Sequence, residues 1–415
     1  MGIYKKIKRN KLLAENISYL ALFQIANYIL PIIVFPYLIR IIGIDKFGIV
    51  SLAQAAALYL NVLIDYGFNF SATKFISTNR ENFKLVNKTI SSVLTIKLLI
   101  FLVVFVFFIP IIYYVDFLNI NFFLYLTGYM ILFGIAIFPI WFFQGIEKLK
   151  HITYANLIGK IITITLIFIL IKEEHDYIYI LLIYAIGSLI TGIIGLFFIK
   201  FYGFSFGKIS IKDIKFHLSE GYSIFVASIG INLYRNMNIL LVGLFTSHSV
   251  TGIYSVAEKL LKSIQMMISP ITQAIFPNAS KKISEISKTE GKKYIANLKK
   301  NIFVILLIIY SLSLILSPVA SLFFFKEYDT LFFIIFLILS PVIIFGGLNY
   351  MLGIVGLINF GLYKSFKRSI FVGAFVNLFV GLIGGYFIGV YGVSLALLAA
   401  EISVFLMLNK YFKNI

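Results

Sequence analysis

The 415-residue chain has no cysteine, one tryptophan, four histidines, and only 17 acidic residues against 36 lysines and arginines. Each scarcity removes a class of function. Without cysteine there is no disulfide framework, no thiolate metal site and no cysteine nucleophile. His151, His175, His217 and His248 all lie in loops or at the edges of apolar runs, so no metal-ligand or catalytic-triad spacing arises. There is no phosphate-binding glycine loop, and no cofactor is expected. Charged residues make up 13% of the chain and hydrophobic ones 60%, well outside the usual soluble range. A net charge of +19 would suggest a polyanion partner in a soluble protein. Here the basic residues sit mainly in short loops between apolar runs, so no nucleic-acid partner is expected and membrane lipids are.

A bilayer core requires roughly 20 apolar residues per helix. On that measure there are 12 segments: 16–42, 47–69, 89–114, 119–143, 152–171, 177–199, 218–246, 250–277, 301–325, 330–358, 369–388 and 391–409. The first follows a basic N-terminus (Lys5, Lys6, Lys8, Arg9, Lys11) and has no small-residue cleavage site, so it reads as a retained span. Alternate loops separate by charge. One side carries 27 of the 36 basic residues, from the N-terminal cluster through Lys281–Lys300 to Lys410 and Lys413; the other carries Lys46, Lys172 and Lys326. The positive-inside rule then places both termini in the cytoplasm. The expected location is a bacterial cytoplasmic (inner) membrane. The polybasic stretch Lys281–Lys300 could rest on anionic headgroups or be an ordinary positive-inside loop.

The second and eighth segments begin alike. Gly48, Ile49, Ser51, Ala53 and Gln54 recur 204 residues later as Gly252, Ile253, Ser255, Ala257 and Glu258. At helical spacing, Ser51, Gln54, Leu58, Asn61 and Asp65 form one stripe, and Ser255, Glu258, Lys262, Gln265 and Ser269 form its counterpart. A weaker match relates Gly145 and Lys148 to Gly361 and Lys364. The chain reads as two six-helix bundles, 1–200 and 218–415, joined by a cytoplasmic linker at 201–217. With an even number of spans in each, the bundles are expected to be related by a pseudo-two-fold axis along the membrane normal. The neutral polar residues of the stripes could line a path or act as packing glue between helices.

Six basic residues remain inside the segments: Arg40, Lys97, Lys160, Arg235, Lys259 and Lys262. A charge at mid-bilayer costs roughly 2.5 to 3.5 kcal/mol even on the lenient insertion scale, so it normally faces a cavity or a partner. Arg40, beside an outer loop, reads as a snorkelling anchor. Lys97 and Lys160 each lie about eight residues, or roughly 12 Å, in from the cytoplasmic end of their segments, a depth that suits a cationic vestibule. Arg235, one of five arginines, lies beside Asn232 and Asn236 with Ser228 on the same face. Glu258 and Lys262, four residues apart, could pair along their helix; alternatively Lys262 joins Arg235 in holding an anion while Glu258 exchanges a proton. Asp65 and Glu401 are further ion-coupling candidates. Gln54, Asn61, Asn232, Asn236 and Gln265 complete the expected polar lining. The outer loops are short, unlike those expected of a membrane glycan polymerase or ligase, which remains the reading outside transport.

Two stretches resemble a known family. One contains Pro36, Tyr37, Gly43, Phe47, Gly48, Gln54, Asp65, Tyr66, Gly67, Phe68, Asn69, Ser71, Ala72 and Thr73. The other is Trp141, Phe142, Phe143, Gln144, Gly145, Ile146 and Glu147, with Lys148 and Thr153 following. They resemble the O-antigen flippases (Wzx type) of the polysaccharide exporter branch, in the superfamily that includes multidrug and toxin extruders. The resemblance implies an all-α integral membrane fold of 12 transmembrane helices in two six-helix bundles around a V-shaped cavity. It implies transfer of an undecaprenyl diphosphate-linked oligosaccharide from the inner to the outer leaflet by alternating access driven by H+ or Na+ exchange. A glycan polymerase and a chain-length regulator are the protein partners it suggests. Independently, a diphosphate is the anion that buried arginine and lysine would hold. A teichoic-acid or peptidoglycan precursor, or an amphipathic drug, is the alternative cargo.

Overall fold

Long apolar runs in lipid can satisfy their backbone only as helices or closed barrels, and every element here is a helix or turn among the described residues. The structure is a computed structural model. It describes the backbone of residues 2–415 and all side chains except those of 1–17, 20, 21, 25, 28, 117, 227, 231, 233–235, 267–274, 276–278, 281 and 284.

The helices are α1 (Gly2–Asp65), α2 (Phe68–Thr78), α3 (Phe83–Tyr114), α4 (Asp116–Asn119), α5 (Phe122–Ile137), α6 (Ile140–Gly145), α7 (Leu149–Leu170) and α8 (Ile180–Phe201). They are followed by α9 (Ile211–Arg235), α10 (Asn238–Phe245), α11 (His248–Glu285), α12 (Lys288–Phe325), α13 (Thr330–Leu339), α14 (Val342–Tyr350), α15 (Tyr363–Ile388) and α16 (Val390–Lys413). A π-helical stretch, Met351–Ile358, extends α14. The chain is a multi-pass membrane protein. Nine helical stretches are long and apolar enough to cross a membrane among the described residues. The first, Leu22–Thr78, takes in most of the first expected segment and all of the second, and α1 breaks between the two at Gly43 (φ 77, ψ 162). The segments expected at 218–246 and 250–277 are helical as α9 to α11 but are not among the nine. They carry Arg235, Glu258, Lys259 and Lys262, and part of their length lies outside the described residues.

The chain divides into two compact units. The first comprises Met1–Leu30 and Ala53–Ile229, the second Pro31–Leu52 and Gly230–Ile415. The division therefore assigns a stretch of α1 to the second unit and carries the first through 201–217 into α9.

In the first unit α8 packs along α5 and α7, and α2 packs on α6. The α7–α8 contact is made by small residues: a Cβ on Gly159 would overlap the Thr191 hydroxyl, and one on Gly187 that of Thr163. Close backbone approach of this kind is how helices pack in lipid, where no hydrophobic drive exists between them. The two sequence stretches that carry the family resemblance meet here. Trp141, Phe142 and Phe143 are fully buried with Phe68, Ala72 and Ile76. The Thr73 hydroxyl lies 3.1 Å from the Trp141 carbonyl and 3.2 Å from Gln144 Oε1. Arg80 donates to Glu147 at 2.8 Å. Asp65-Tyr66-Gly67 ends α1: Tyr66 (φ 45) and Gly67 (φ 78) turn the chain, and Tyr66 stacks on Phe225 of α9.

In the second unit α15 and α16 pack along each other, with α13 and α14 against α16. Arg40, expected to snorkel, donates to the Phe323 carbonyl at 3.1 Å near the end of α12, where free carbonyls favour a cation.

Candidate functional site

Each unit holds its own set of polar side chains. In the first, α1 brings Asp65 to its last turn and α3 brings Lys97 beneath it, with Nζ 3.9 Å from Asp65 Oδ1 and 3.4 Å from the Ile135 carbonyl of α5. Lys97 is 1% exposed. Its expected place in a vestibule open to the cytoplasm differs from this arrangement: the side chain turns inward and its charge is matched inside the unit. An isolated ammonium could not be buried so far without such partners. One turn earlier on α1, Asn61 has a buried side-chain oxygen without a hydrogen-bond partner. Gln54 and Lys160 are half-buried, and Lys160 makes no ion pair or hydrogen bond among the described residues.

In the second unit α11 carries the larger set. Glu258 is 1% exposed and lies 3.1 Å from Lys262 Nζ, one helical turn along, as the four-residue spacing predicts. Lys262 also donates to Asn236 at 3.4 Å, and Asn236 donates to Asn232 at 2.7 Å. The result is one line, Glu258–Lys262–Asn236–Asn232, running from α11 to the end of α9. Neither carboxylate oxygen of Glu258 is in hydrogen-bond geometry, so the ammonium faces it as a charge and can be drawn elsewhere. The Arg235 side chain lies outside the described residues, although its backbone ends α9 between Asn232 and Asn236.

A turn further along α11, Gln265 donates to the Val342 carbonyl. Gly346 of α14 faces both Gln265 and Glu401: a Cβ there would lie 2.7 Å from Gln265 Nε2 and 3.8 Å from Glu401 Oε1. Glu401 of α16 is 4% exposed and is held by Asn349 Nδ2 at 2.5 Å, with no ion-pair partner among the described residues. Sequence reasoning singled out Glu401 and missed Asn349, although an asparagine in so apolar a run was itself the signal. It also left Lys259 without a role. The Lys259 ammonium stands over the Phe35 ring, 4.3 Å from its centroid.

No cluster that could hold a metal ion is present among the described residues. Residues 13–283 match the family described as "Polysaccharide biosynthesis protein". The chain belongs to that family. Within the polysaccharide biosynthesis protein family it is similar to the "Putative O-antigen transporter" of Escherichia coli (strain K12), at 28% identity over 98% of both chains. Its fold is similar to that of two solved structures. One, titled "Lipid II flippase MurJ, inward closed conformation", has a TM-score of 0.74, 15% identity, and coverage of 94% of this chain and 87% of that one. The other is an inward-facing multidrug resistance MATE family transporter of the MOP superfamily (TM-score 0.71, 11% identity, 95% of this chain and 98% of that one). The family match covers both resembling stretches, the Asp65–Lys97 pair and the Glu258–Lys262 pair. In this polysaccharide biosynthesis protein the stretches build the packing around Trp141, and the first of them also supplies Asp65 to the pair with Lys97.

Proposed function

We propose that the protein is a flippase that carries an undecaprenyl diphosphate-linked oligosaccharide from the cytoplasmic to the outer leaflet by alternating access. In this reading the chain crosses the membrane 12 times in two six-helix bundles, with both termini in the cytoplasm. The observation that carries it is the line Glu258–Lys262–Asn236–Asn232, a half-buried ammonium reached by neutral hydrogen-bonding groups and opposed by one buried carboxylate. A diphosphate and the Glu258 carboxylate are rival anions for Lys262. The diphosphate offers several strong acceptors to Lys262 and Arg235, while Asn232 and Asn236 donate to phosphate or sugar oxygens. Family membership and the O-antigen transporter relative support the same cargo.

Competition for Lys262 links substrate to cation. When the diphosphate takes the ammonium, Glu258 is left as a buried carboxylate without a partner, a costly state. A proton or a sodium ion relieves it. Glu401, buried and hydrogen-bonded by Asn349, is a second candidate for ion coupling. Asp65 and Lys97 neutralise each other in the first unit and can separate only if another charge arrives. Lys160, without such a partner among the described residues, attracts the headgroup.

The test is leaflet exchange in proteoliposomes with a fluorescent undecaprenyl diphosphate oligosaccharide, read by enzyme access from outside. Wild type is expected to move the lipid, and Lys262→Met to slow it at least tenfold. Exchange no faster than in protein-free vesicles, or enzymatic elongation of the glycan, contradicts the reading.

A further inference from the structure

The segment that joins α8 to α9 in the first unit carries apolar side chains of two kinds. Phe204, Ile214 and Leu218 pack on the core around Trp141. Phe206, Ile209 and Ile211 do not: they are exposed, Phe206 by 53% and Ile211 by 72%. Lys208, Lys212 and Lys215 are interleaved with them, all exposed and none in an ion pair among the described residues. The one acid within 200–217, Asp213, is taken by Ser210 and by Lys88 at 3.6 Å. The segment is not a loose tether. Asn87 of α3 accepts from the Ser205 amide at 3.0 Å and donates to the Ser205 hydroxyl at 3.1 Å. The Gly207 amide donates to Ser91 Oγ at 2.8 Å, and a Cβ on Gly207 would lie 3.2 Å from the Lys88 backbone nitrogen. Phe204 stacks on Phe83 with centroids 4.7 Å apart. These contacts fix the segment alongside residues 83–91 of α3.

That position sets its depth in the membrane. α3 ends on the outer side at Tyr113 and Tyr114, both well exposed, as tyrosines are at a membrane interface. About 20 residues of helix cross a hydrocarbon core of roughly 30 Å, so counting back from Tyr114 places the inner edge of the core near Leu94. Ser91 lies about three residues, or roughly 5 Å, beyond that edge, within the headgroup layer. α8 agrees: its 22 residues are roughly 33 Å long, so the chain leaves it at the same edge. Apolar side chains interleaved with lysines at this depth are the composition of a segment lying in the interface. In bulk water they would be an exposed apolar patch with nothing to cover it.

We propose that residues 204–216 are an interfacial anchor: Phe206, Ile209 and Ile211 enter the headgroup–acyl boundary of the cytoplasmic leaflet, and Lys208, Lys212 and Lys215 bind the phosphates of anionic phospholipids. The leaflet follows from the topology of the reading above, with both termini in the cytoplasm, but the anchor does not depend on what is carried. The stretch expected to be a cytoplasmic linker is thereby a lipid-binding surface of the first unit. Its inward residues and the bonds to Asn87 and Ser91 hold the backbone at a fixed depth, and its outward residues meet the lipid. Lysine near an anionic surface gains from each charge added, and Asp213, already engaged by Ser210 and Lys88, does not offset the three.

The chain has no cysteine, so single labels need no background change. A spin label on Ile211→Cys, in vesicles of phosphatidylglycerol and phosphatidylcholine, is expected to collide more with oxygen than with water-soluble nickel-EDDA. The same label on Ser219→Cys, an exposed polar position further along α9, is the comparison. Ile211→Cys as open to nickel-EDDA as a label in bulk water overturns the anchor. A fluorescent donor on Ser219→Cys then reads lipid preference in mixed nanodiscs. Energy transfer to acceptor-labelled phosphatidylglycerol is expected to exceed that to acceptor-labelled phosphatidylcholine. The preference is expected to fall on the order of fivefold for each of Lys208→Gln, Lys212→Gln and Lys215→Gln, and to weaken as salt rises. Equal transfer to the two lipids, or a preference unchanged in the triple variant, overturns headgroup binding. The three lysines are exposed, so the single variants decide if the triple one does not fold. Because neither readout involves transport, failure of the anchor is distinguishable from failure of the flippase reading.

Discussion

Glu258 is fully buried and is tolerable in the membrane because the half-buried Lys262 neutralises it. Removing one partner of a buried pair costs about 3 to 5 kcal/mol, while replacing both with apolar groups is often neutral. The same logic applies to Asp65 and Lys97, and it gives a stability prediction. Asp65→Ala leaves Lys97 buried with only the Ile135 carbonyl, so the thermal unfolding midpoint in detergent should fall sharply. Adding Lys97→Met should recover most of the loss, and a double variant no better than the single would show that the pair does not hold Lys97 in place. For Glu258 the prediction concerns binding: because its carboxylate and a diphosphate are rival anions for Lys262, Glu258→Gln should bind undecaprenyl diphosphate more tightly than wild type, and equal affinities would exclude the competition.

Helix ends separate two kinds of turn residue that the sequence alone does not distinguish. Glu147 has φ 58 and pairs with Arg80 at 2.8 Å, with the two side chains 52% and 36% exposed. An exposed pair of this kind is worth roughly 0 to 1 kcal/mol, about what glycine would recover by relieving the left-handed backbone. Glu147→Gly should therefore leave thermal stability nearly unchanged. Gly67 has φ 78, and a Cβ there would lie 2.8 Å from Ile224, so Gly67→Ala should destabilise by about 1 to 3 kcal/mol. Similar midpoints for the two variants would contradict the packing of Tyr66 and Gly67 on α9. At the start of α9, hydrogen bonds from Ser210 to Asp213, aided by Lys88, hold the Asp213 carboxyl below its usual range. A depressed carboxyl contributes stability above its unfolded pKa of about 3.9, and that contribution is lost as pH falls through the lower folded value. Hydrogen-exchange protection of the Ser210 amide should fade below that range in wild type and be largely independent of pH in Asp213→Asn.

Much of the architecture was legible as hydropathy. Expected segments three to six and nine to twelve each coincide with one apolar helical stretch, the fourth and tenth built from more than one helix, since runs such as Leu98–Ile112 leave no other option in lipid. The boundary expected between the first two segments, at 42–47, coincides with the break of α1 at Gly43. The Glu258–Lys262 pairing followed from spacing alone. The Asp65–Lys97 pairing did not: it joins α1 to α3, and contacts between helices are set by packing that a one-dimensional pattern does not encode. For the same reason Asn349 was missed beside Glu401, and so was Lys259 over Phe35.

At the scale of the whole molecule, the charge asymmetry of the loops, the repeat, the family match and the lysine paired with buried Glu258 converge on export of a lipid-linked glycan. The most direct test is mass spectrometry of undecaprenyl-linked glycans, with leaflet sidedness, in cells lacking the protein and in cells complemented with wild type or Arg235→Ala. The account predicts that the complete repeat unit accumulates on the cytoplasmic leaflet without the protein, clears with wild type, and persists with Arg235→Ala. Absence of any accumulated precursor would contradict the flippase itself, and equal clearance by the two forms would contradict the anion site at the end of α9.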